Sequence, residues 1–299
     1  TAFRTFIGPP YGPRLQRAVV DLLAALMPGR GGVRRSTLKA GGMAIEIVEP
    51  KTPGYHGAVL YLHGGAFVLG SAYTHRSITS HLAHAAETPV WVPNYRLAPE
   101  YPYPAAIEDA MACYRLMKSR GLKSEQIVLA GDSAGGALAL ELAVRLKDLG
   151  ERPAAVAVIS PVTDIALRSH SLDGRERQDP MIRKGWVQQG IAWYGPAAAR
   201  RGALLDQDLS DLPPMQVQVG DQEILLDDSV RLAEKVAQAG GELRLEVHGG
   251  RWHVFHLQTV YLRSARDAVR GIAAFCTRHL ARKPQPRPVQ AEAGLRRVS

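Results

Sequence analysis

From residue 43 onward, short runs rich in Val, Ile and Leu alternate with longer stretches that have helical periodicity. This order predicts an α/β fold, a mostly parallel sheet covered by helices on both faces. Near-continuous apolar runs favour strands in the middle of such a sheet, because these are buried on both faces. The strand candidates are 44–48, 58–63, 90–95, 127–131, 155–160, 216–220 and 243–247, and the helix candidates include 105–120, 134–149, 228–239 and 259–280.

Two segments interrupt this alternation. Residues 1–40 carry an apolar helical pattern over 15–27, and residues 165–210 form a polar, Arg-rich insert with aromatic residues at helix-like spacing. We predict that these N-terminal helices and this insert pack over one end of the sheet as a cap. The alternative is that the two segments lie on the surface as unrelated insertions and form no common cap. Residues 41–164 and 211–281 then form the α/β domain, and the basic, Pro-containing tail 282–299 is predicted to be disordered.

The composition is that of a globular protein: 46% of the 299 residues are apolar and 22% are charged. It excludes a disordered, collagen-like or disulfide-stapled chain, but allows one large domain with an accessory segment or two domains. No apolar run reaches the roughly 18 residues that a membrane-spanning helix needs. With no charged-then-apolar leader in residues 1–35, we expect a soluble, cytoplasmic protein without stable membrane insertion. Cys113 and Cys276 lie in apolar helical patterns, which predicts buried thiols and no metal site.

The formal net charge of +9 belongs to the two ends of the chain. Residues 1–35 carry a charge of +5 and residues 282–299 carry +4, so the residues between them sum to zero. A nucleic-acid-binding protein would carry its basic residues on a groove or face of the fold. We therefore expect no nucleic-acid function.

The motif Gly131-Asp-Ser-Ala-Gly-Gly136 stands between an apolar strand candidate and a helix candidate. This is Gly-x-Ser-x-Gly in the strand-turn-helix context of a nucleophile elbow. The turn is so tight that the residues two before and two after the serine must lack bulky side chains, and the serine takes a strained backbone conformation. Ser133 is therefore the predicted nucleophile, its hydroxyl exposed at the carboxyl edge of the sheet.

A serine hydroxyl is a weak nucleophile, so it needs a base and an acid that orients the base. The order on such a fold is serine, acid, histidine. His253 lies in the loop after the last strand candidate, where the base must sit, and is favoured over His248 and His256. His170, in the insert, and His279, near the end of the last helix, are placed too far from that edge.

The orienting acid is expected in the loop after strand candidate 216–220, which carries four carboxylates. We interpret Asp227 and Asp228 as residues at the start of the next helix, where negative charge complements the dipole and caps free amides. Asp221 and Glu223 both remain candidates on local grounds.

Acyl transfer also needs donors for the negative charge of the tetrahedral intermediate. The run Tyr61-Leu-His-Gly-Gly-Ala-Phe67 leaves a strand candidate for a loop of small residues. The backbone amides of Gly65 and Ala66, with that of Ala134 after the nucleophile, are the predicted oxyanion donors.

With these residues in place, the chain resembles the bacterial hormone-sensitive-lipase-like esterases, a branch of the α/β-hydrolases. Four motifs carry the resemblance, which spans roughly residues 59–280: His63-Gly-Gly-Ala-Phe67, Tyr95-Arg-Leu-Ala-Pro-Glu100, Gly131-Asp-Ser-Ala-Gly-Gly136 and Trp252-His-Val-Phe255. The resemblance implies an α/β-hydrolase fold with an eight-stranded, mostly parallel sheet and a helical cap. It also implies hydrolysis of small-molecule carboxylic esters with short to medium acyl chains, and suggests a homodimer formed through the sheet edge.

Two departures from the family pattern affect the predicted site. The usual His-Gly-Gly-Gly ends here in Ala66, a mild change because the donor is a backbone amide. The usual Asp-Pro-Leu around the acid corresponds to Glu223-Ile-Leu225, which favours Glu223 over Asp221. The predicted triad is Ser133, His253 and Glu223, and its chemistry needs no metal or organic cofactor. An amidase or acyltransferase on the same triad, or a non-catalytic small-ligand receptor on the same fold, are the alternative functions.

Overall fold

An eight-stranded sheet forms the centre of the structure, a computed structural model that describes residues 2–282. The strands, including those of a separate two-stranded sheet, are Val33–Ala40 (β1), Met43–Pro50 (β2), Tyr55–His56 (β3), Ala58–Leu62 (β4), Val90–Pro93 (β5), Ile127–Asp132 (β6), Ala155–Ile159 (β7), Met215–Gly220 (β8), Leu243–His248 (β9) and Ala281–Arg282 (β10). The large sheet has the order β1-β2-β5-β4-β6-β7-β8-β9, and β3 pairs with β10. Strand β2 is antiparallel to both its neighbours, and all other pairs of the large sheet are parallel.

Helices cover both faces of this sheet. In chain order they are Ala2–Phe6 (α1), Pro13–Ala24 (α2), Arg76–Ala86 (α3), Ala105–Ser119 (α4), Ala134–Asp148 (α5), Ser171–Gly174 (α6), Lys184–Tyr194 (α7), Pro196–Arg201 (α8), Leu226–Gln238 (α9) and Arg263–Arg278 (α10). Short 3-10 segments lie at Ser124–Gln126, Leu204–Asp206 and Phe255–Gln258. In the described part of the chain, no helix is both long and apolar enough to cross a membrane.

The strands at the centre of the sheet are buried at every position, as their apolar runs predict. Because side chains alternate between the two faces of a strand, each strand contributes to two cores. Leu60 and Leu129 belong to the core that contains residues of α4 and α5. Val59 and Val128 belong to the core on the other face, which contains residues of α3 and α10. This double burial holds the carboxyl ends of β4, β6, β7 and β8 rigidly side by side.

The predicted fold class, an eight-stranded and mostly parallel sheet with flanking helices, is confirmed. All seven strand candidates are strands of this sheet. The differences lie at the ends of the chain. The segment predicted to form the N-terminal helices extends to residue 40, but residues 33–40 form edge strand β1, whose side chains are largely exposed and polar. The helix candidate 259–280 begins only at Arg263, because Phe255–Gln258 forms a 3-10 turn before it.

The N-terminal segment and the insert contact each other. Arg4 donates hydrogen bonds to the backbone oxygens of Asp179 and Glu176 (both 2.8 Å), and Gln16 donates one to Gln189 (2.9 Å). Ile7 packs in an apolar cluster with Trp186 and with residues of the loop after β8. The predicted disordered tail lies outside the described residues, apart from residue 282 in β10.

Candidate active site

The nucleophile elbow lies between β6 and α5. Ser133 has φ 52° and ψ −120°, a strained positive-φ conformation that a serine rarely adopts. A Cβ atom on Gly131 would lie 2.5 Å from the Gly135 carbonyl oxygen, and one on Gly135 would lie 2.0 Å from the Leu62 oxygen. The Ser133 amide donates to the Ile159 oxygen of neighbouring β7 (2.8 Å). The glycines of the motif are therefore required by close backbone approach, and the elbow is fixed to the sheet.

The loop after β4 places small residues beside this elbow. Gly65 has φ 123° and Ala66 has φ 53°. The Gly65 carbonyl accepts hydrogen bonds from the amides of Val68 and Leu69 (both 3.0 Å), which closes a tight turn in this loop. Within residues 2–282, neither these two amides nor that of Ala134 donates a hydrogen bond. All three remain able to donate to an oxyanion.

Asp132, the residue before the nucleophile, holds the elbow and this loop together. Its carboxylate accepts hydrogen bonds from the Tyr61 hydroxyl (2.8 Å) and the Gly64 amide (3.0 Å), and lies 3.2 Å from His75 Nε2. Burial alone would raise the pKa of Asp132, but the contacts with His75 and Tyr61 outweigh burial and hold this pKa below its usual value. The motif itself places an acid at this position, but sequence reasoning did not assign it a role.

The predicted base and one of the two candidate acids are brought together. His253 Nδ1 lies 3.4 Å from Glu223 Oε1. Glu223 is completely buried, and its Oε2 accepts hydrogen bonds from Ser160 Oγ (2.8 Å) and the Gly220 amide (3.0 Å). Burial lowers the pKa of His253, but the hydrogen bond and charge of Glu223, then the charges of Asp179 and Asp132, outweigh burial and raise it overall.

The other candidate acid has a different position. Asp221 Oδ1 accepts hydrogen bonds from the backbone amides of Gly250 (2.8 Å) and Arg251 (3.3 Å). Asp221 therefore braces the turn that leads to His253 and makes no hydrogen bond to the imidazole. The structure thus places Glu223 beside His253 and Asp221 behind the loop that carries it.

Asp227 and Asp228 lie in the first turn of α9, as the sequence predicts, but neither caps it. Asp228 accepts hydrogen bonds from the amides of Thr163 (2.8 Å) and Asp164 (3.0 Å), and Asp227 accepts one from Ser171 (2.8 Å). Both carboxylates therefore hold the start of the insert against the helix that follows Glu223. The sequence predicts that these carboxylates bind the amides of their own helix. Their actual partners are far away along the chain, so the local sequence does not reveal them.

The alternative histidines have other surroundings. His256 is fully buried, its Nε2 lies 2.9 Å from Gln218 Oε1, and burial together with the charge of His248 lowers its pKa to about 3. His248 ends β9 and its ring lies 5.2 Å from that of Phe255. Of these three histidines, only His253 lines the cavity described next.

A cavity of about 380 Å³ opens above the elbow. Ser133, His253 and Gly65 line it together with apolar residues of α2, of the insert and of the segment after β9. Ser133 Oγ and His253 are not hydrogen-bonded to each other in the structure. Hydrogen bonds between catalytic groups are often long or poorly aligned before substrate binds. A hydroxyl, a buried imidazole and unpaired amides around an apolar cavity can carry out acyl transfer.

Three further residues at the site were not found by sequence reasoning: His75, which also lines the cavity, Ser160, which contacts Glu223, and Asp179, a buried acid of the insert. His75 lies 57 residues from Asp132, Ser160 lies 63 residues from Glu223 and Asp179 lies 45 residues from Ile224, so local patterns contain little signal for these contacts. The described side chains include no group of three or more His, Cys, Asp or Glu residues placed to hold a metal ion.

Comparison with known proteins gives consistent matches. A family model described as alpha/beta hydrolase fold matches residues 59–257. The chain is 36% identical over 271 residues to an esterase of Acinetobacter venetianus, with 89% of each chain covered. It is 36% identical over 263 residues to a carboxylesterase/phospholipase of Mycobacterium tuberculosis, covering 83% of this chain and 70% of that protein. The crystal structure of an esterase from the bacterial hormone-sensitive lipase family has a TM-score of 0.85 at 34% identity, with 91% and 93% coverage.

Proposed function

Because the chain belongs to the bacterial hormone-sensitive-lipase-like esterases of the α/β-hydrolase superfamily, we propose that it hydrolyses esters with short to medium acyl chains through an acyl intermediate on Ser133. The protein is a serine carboxylesterase. One observation carries the proposed mechanism: Ser133, His253 and Gly65 line one apolar cavity, while buried Glu223 contacts the imidazole from behind.

In the proposed mechanism, an ester carbonyl enters between Ser133 and the amides of Gly65, Ala66 and Ala134. The Ser133 hydroxyl attacks the carbonyl carbon as its proton passes to His253, and the three amides stabilise the resulting oxyanion. The carbon–oxygen bond to the alcohol then breaks, and the alcohol leaves with the proton from His253. Water activated by His253 attacks the acyl-serine, which releases the carboxylic acid and restores the hydroxyl.

Glu223 orients the base in this scheme. With Ser160 and Gly220 donating to Oε2, the Oε1 atom faces His253 and accepts from Nδ1–H. This fixes the tautomer in which Nε2 carries no proton and can accept one from the serine. The negative charge of the acid also stabilises the imidazolium that forms during attack.

The cavity supports a substrate with a short to medium acyl chain. Its volume of about 380 Å³ lies at the lower end of the range for ligand pockets. Its walls come from α2, including Leu23, and from Met181, Ile182 and Trp186 of the insert. We therefore propose that the N-terminal helices and residues 165–210 form a cap that determines which acyl groups fit.

Substitution of the nucleophile tests the mechanism. Ser133→Ala is expected to abolish hydrolysis of p-nitrophenyl butyrate and covalent labelling by a fluorophosphonate probe. The matched control is Ser119→Ala, since Ser119 is exposed at the end of α4 and bonds only to a backbone oxygen of its own helix. Burst-phase release of p-nitrophenol, or probe labelling at the wild-type rate, in Ser133→Ala would refute the nucleophile. Activity on the matched anilide equal to that on the ester would instead indicate an amidase.

A further inference from the structure

Asp179, a residue of the insert, is a buried carboxylate that lies beside the proposed triad without belonging to it. Its side chain is completely buried, and each of its oxygens accepts hydrogen bonds from backbone amides. Oδ1 accepts from Met181 (2.8 Å) and Ile182 (3.2 Å), and Oδ2 accepts from Ile224 (3.2 Å).

The two oxygens hold different parts of the site. Met181 and Ile182 both line the substrate cavity, so Oδ1 fixes one of its walls. Ile224 directly follows Glu223, so Oδ2 fixes the loop that carries the acid. The Asp179 backbone oxygen in turn accepts a hydrogen bond from Arg4 (2.8 Å), which ties the N-terminal segment to the same point. One residue thus joins the N-terminal segment, the insert and the acid loop.

We infer that Asp179 is a positioning residue, which keeps the acyl-binding wall of the insert and the Glu223 loop in fixed relation to each other. The inference rests on the proposed triad and goes beyond it, because Asp179 contacts neither the nucleophile nor the oxyanion amides. A bidentate carboxylate suits this role because it accepts on both sides at once, which neither an amide nor a hydroxyl side chain can reproduce.

The negative charge of Asp179 also acts on the proposed base, His253. Three carboxylates raise the pKa of His253: Glu223 after β8, Asp179 in the insert and Asp132 at the end of β6. His256, on the 3-10 turn that follows His253, also interacts with it electrostatically. The negative charge of Asp179 favours the protonated imidazole. In return the charge of His253 opposes the rise that burial produces in the pKa of Asp179.

The variant Asp179→Asn separates positioning from simple structural support. An asparagine has one acceptor oxygen, so it must release either the cavity wall or the acid loop. We expect kcat/KM for p-nitrophenyl butyrate to fall about tenfold or more. We also expect a changed ratio of kcat/KM among acetate, butyrate and octanoate esters. The acid limb of the pH profile should move to lower pH, since a negative neighbour of His253 has been removed.

The matched control is Asp208→Asn, because Asp208 also accepts a backbone amide two residues ahead (Ser210, 3.0 Å) but lies exposed and outside the cavity. We expect Asp208→Asn to have the kcat/KM, the ester preference and the pH profile of the wild type. The inference is overturned if Asp179→Asn keeps the wild-type acid limb and loses activity in equal proportion on all three esters, or if it matches the wild type.

If Asp179→Asn does not fold, Asp179→Glu carries the test. It keeps the charge but moves the carboxylate by one methylene, so the acid limb should stay in place while the chain-length ranking changes. A wild-type ranking in this variant would overturn the inference. Failure of the proposed function is distinguishable, because the wild type itself would then hydrolyse no ester and bind no fluorophosphonate.

Discussion

The roles of Glu223, the predicted acid, and of Asp221, the other candidate on local grounds, can be separated by replacing each carboxylate with its amide. In Glu223→Gln one oxygen and one NH2 group replace the carboxylate. The Gly220 amide can only donate, and it lies 3.0 Å from Oε2 together with the Ser160 hydroxyl at 2.8 Å. The glutamine oxygen is therefore expected to stay on that side, which turns its NH2 group toward His253.

An NH2 group that faces Nδ1 makes this nitrogen an acceptor and places the ring proton on Nε2. The imidazole then cannot take the proton of Ser133, so the base is held in the wrong tautomer. Replacement of the orienting acid by its amide in a serine triad lowers kcat by about 10⁴. We expect a loss of this order in Glu223→Gln, and a shift of the residual acid limb to lower pH, because Glu223 raises the pKa of His253.

Asp221→Asn is the matched control for this variant. The asparagine oxygen can still accept from the amides of Gly250 and Arg251, so the turn before His253 is preserved. We expect its kcat to stay within about twofold of the wild type, as for substitutions that break no buried contact. The assay is steady-state hydrolysis of p-nitrophenyl butyrate, with thermal unfolding of each variant as the test of folding. A Glu223→Gln enzyme within tenfold of the wild type, or a larger loss in Asp221→Asn, would refute the proposed role of Glu223.

Three other predictions follow from packing and burial. In Gly190→Ala the new Cβ would lie 2.6 Å from the Ala66 Cβ, so the loop that carries the proposed oxyanion amides must shift. We expect kcat to fall by up to about 10², and an unchanged kcat in a steady-state assay would contradict this reasoning. Phe255→Ala empties a fully buried site and should lower the free energy of unfolding by about 3–5 kcal/mol in urea titrations, and a loss under 1 kcal/mol would contradict it. Burial lowers the pKa of His63 and of His256 to about 3, so the unfolded chain binds more protons below pH 6.5 and stability should fall from there toward pH 3. His256→Gln should make this fall shallower in denaturant titrations across that range, and an unchanged slope would contradict it.

The part of the site that could be predicted from sequence is the part where backbone geometry demands a residue type. The glycines around Ser133 face carbonyl oxygens at distances that no side chain tolerates, and such demands leave a readable pattern. The fully buried strands can also be predicted from the sequence, because burial on both faces requires an unbroken apolar run. Edge strand β1 was missed for the converse reason: its exposed face permits polar residues, and Val33–Ala40 has no such run.

The acid illustrates what local pattern leaves open. Asp221 and Glu223 stand two residues apart in one loop, and either side chain could have reached a histidine. Their positions are distinguished by a partner 63 residues away along the chain, since Ser160 directly follows β7 and donates to Glu223. Parallel pairing of β7 with β8 brings that hydroxyl to the start of the acid loop. The distinction therefore depends on strand order, which the motif does not contain.

The proposed cap depends on contacts of still longer range along the chain. Arg4 donates to the Asp179 backbone oxygen, and Asp228 accepts from the Thr163 amide, so the N-terminal segment, the insert and the helix after Glu223 are joined by contacts between residues distant in sequence. These contacts use polar side chains on backbone groups, for which many residue types would serve, and so they leave no strong periodicity. They also mean that the cavity wall and the acid share supports. A substitution in the insert can therefore alter both acyl selectivity and the orientation of His253, even when it touches neither substrate nor base.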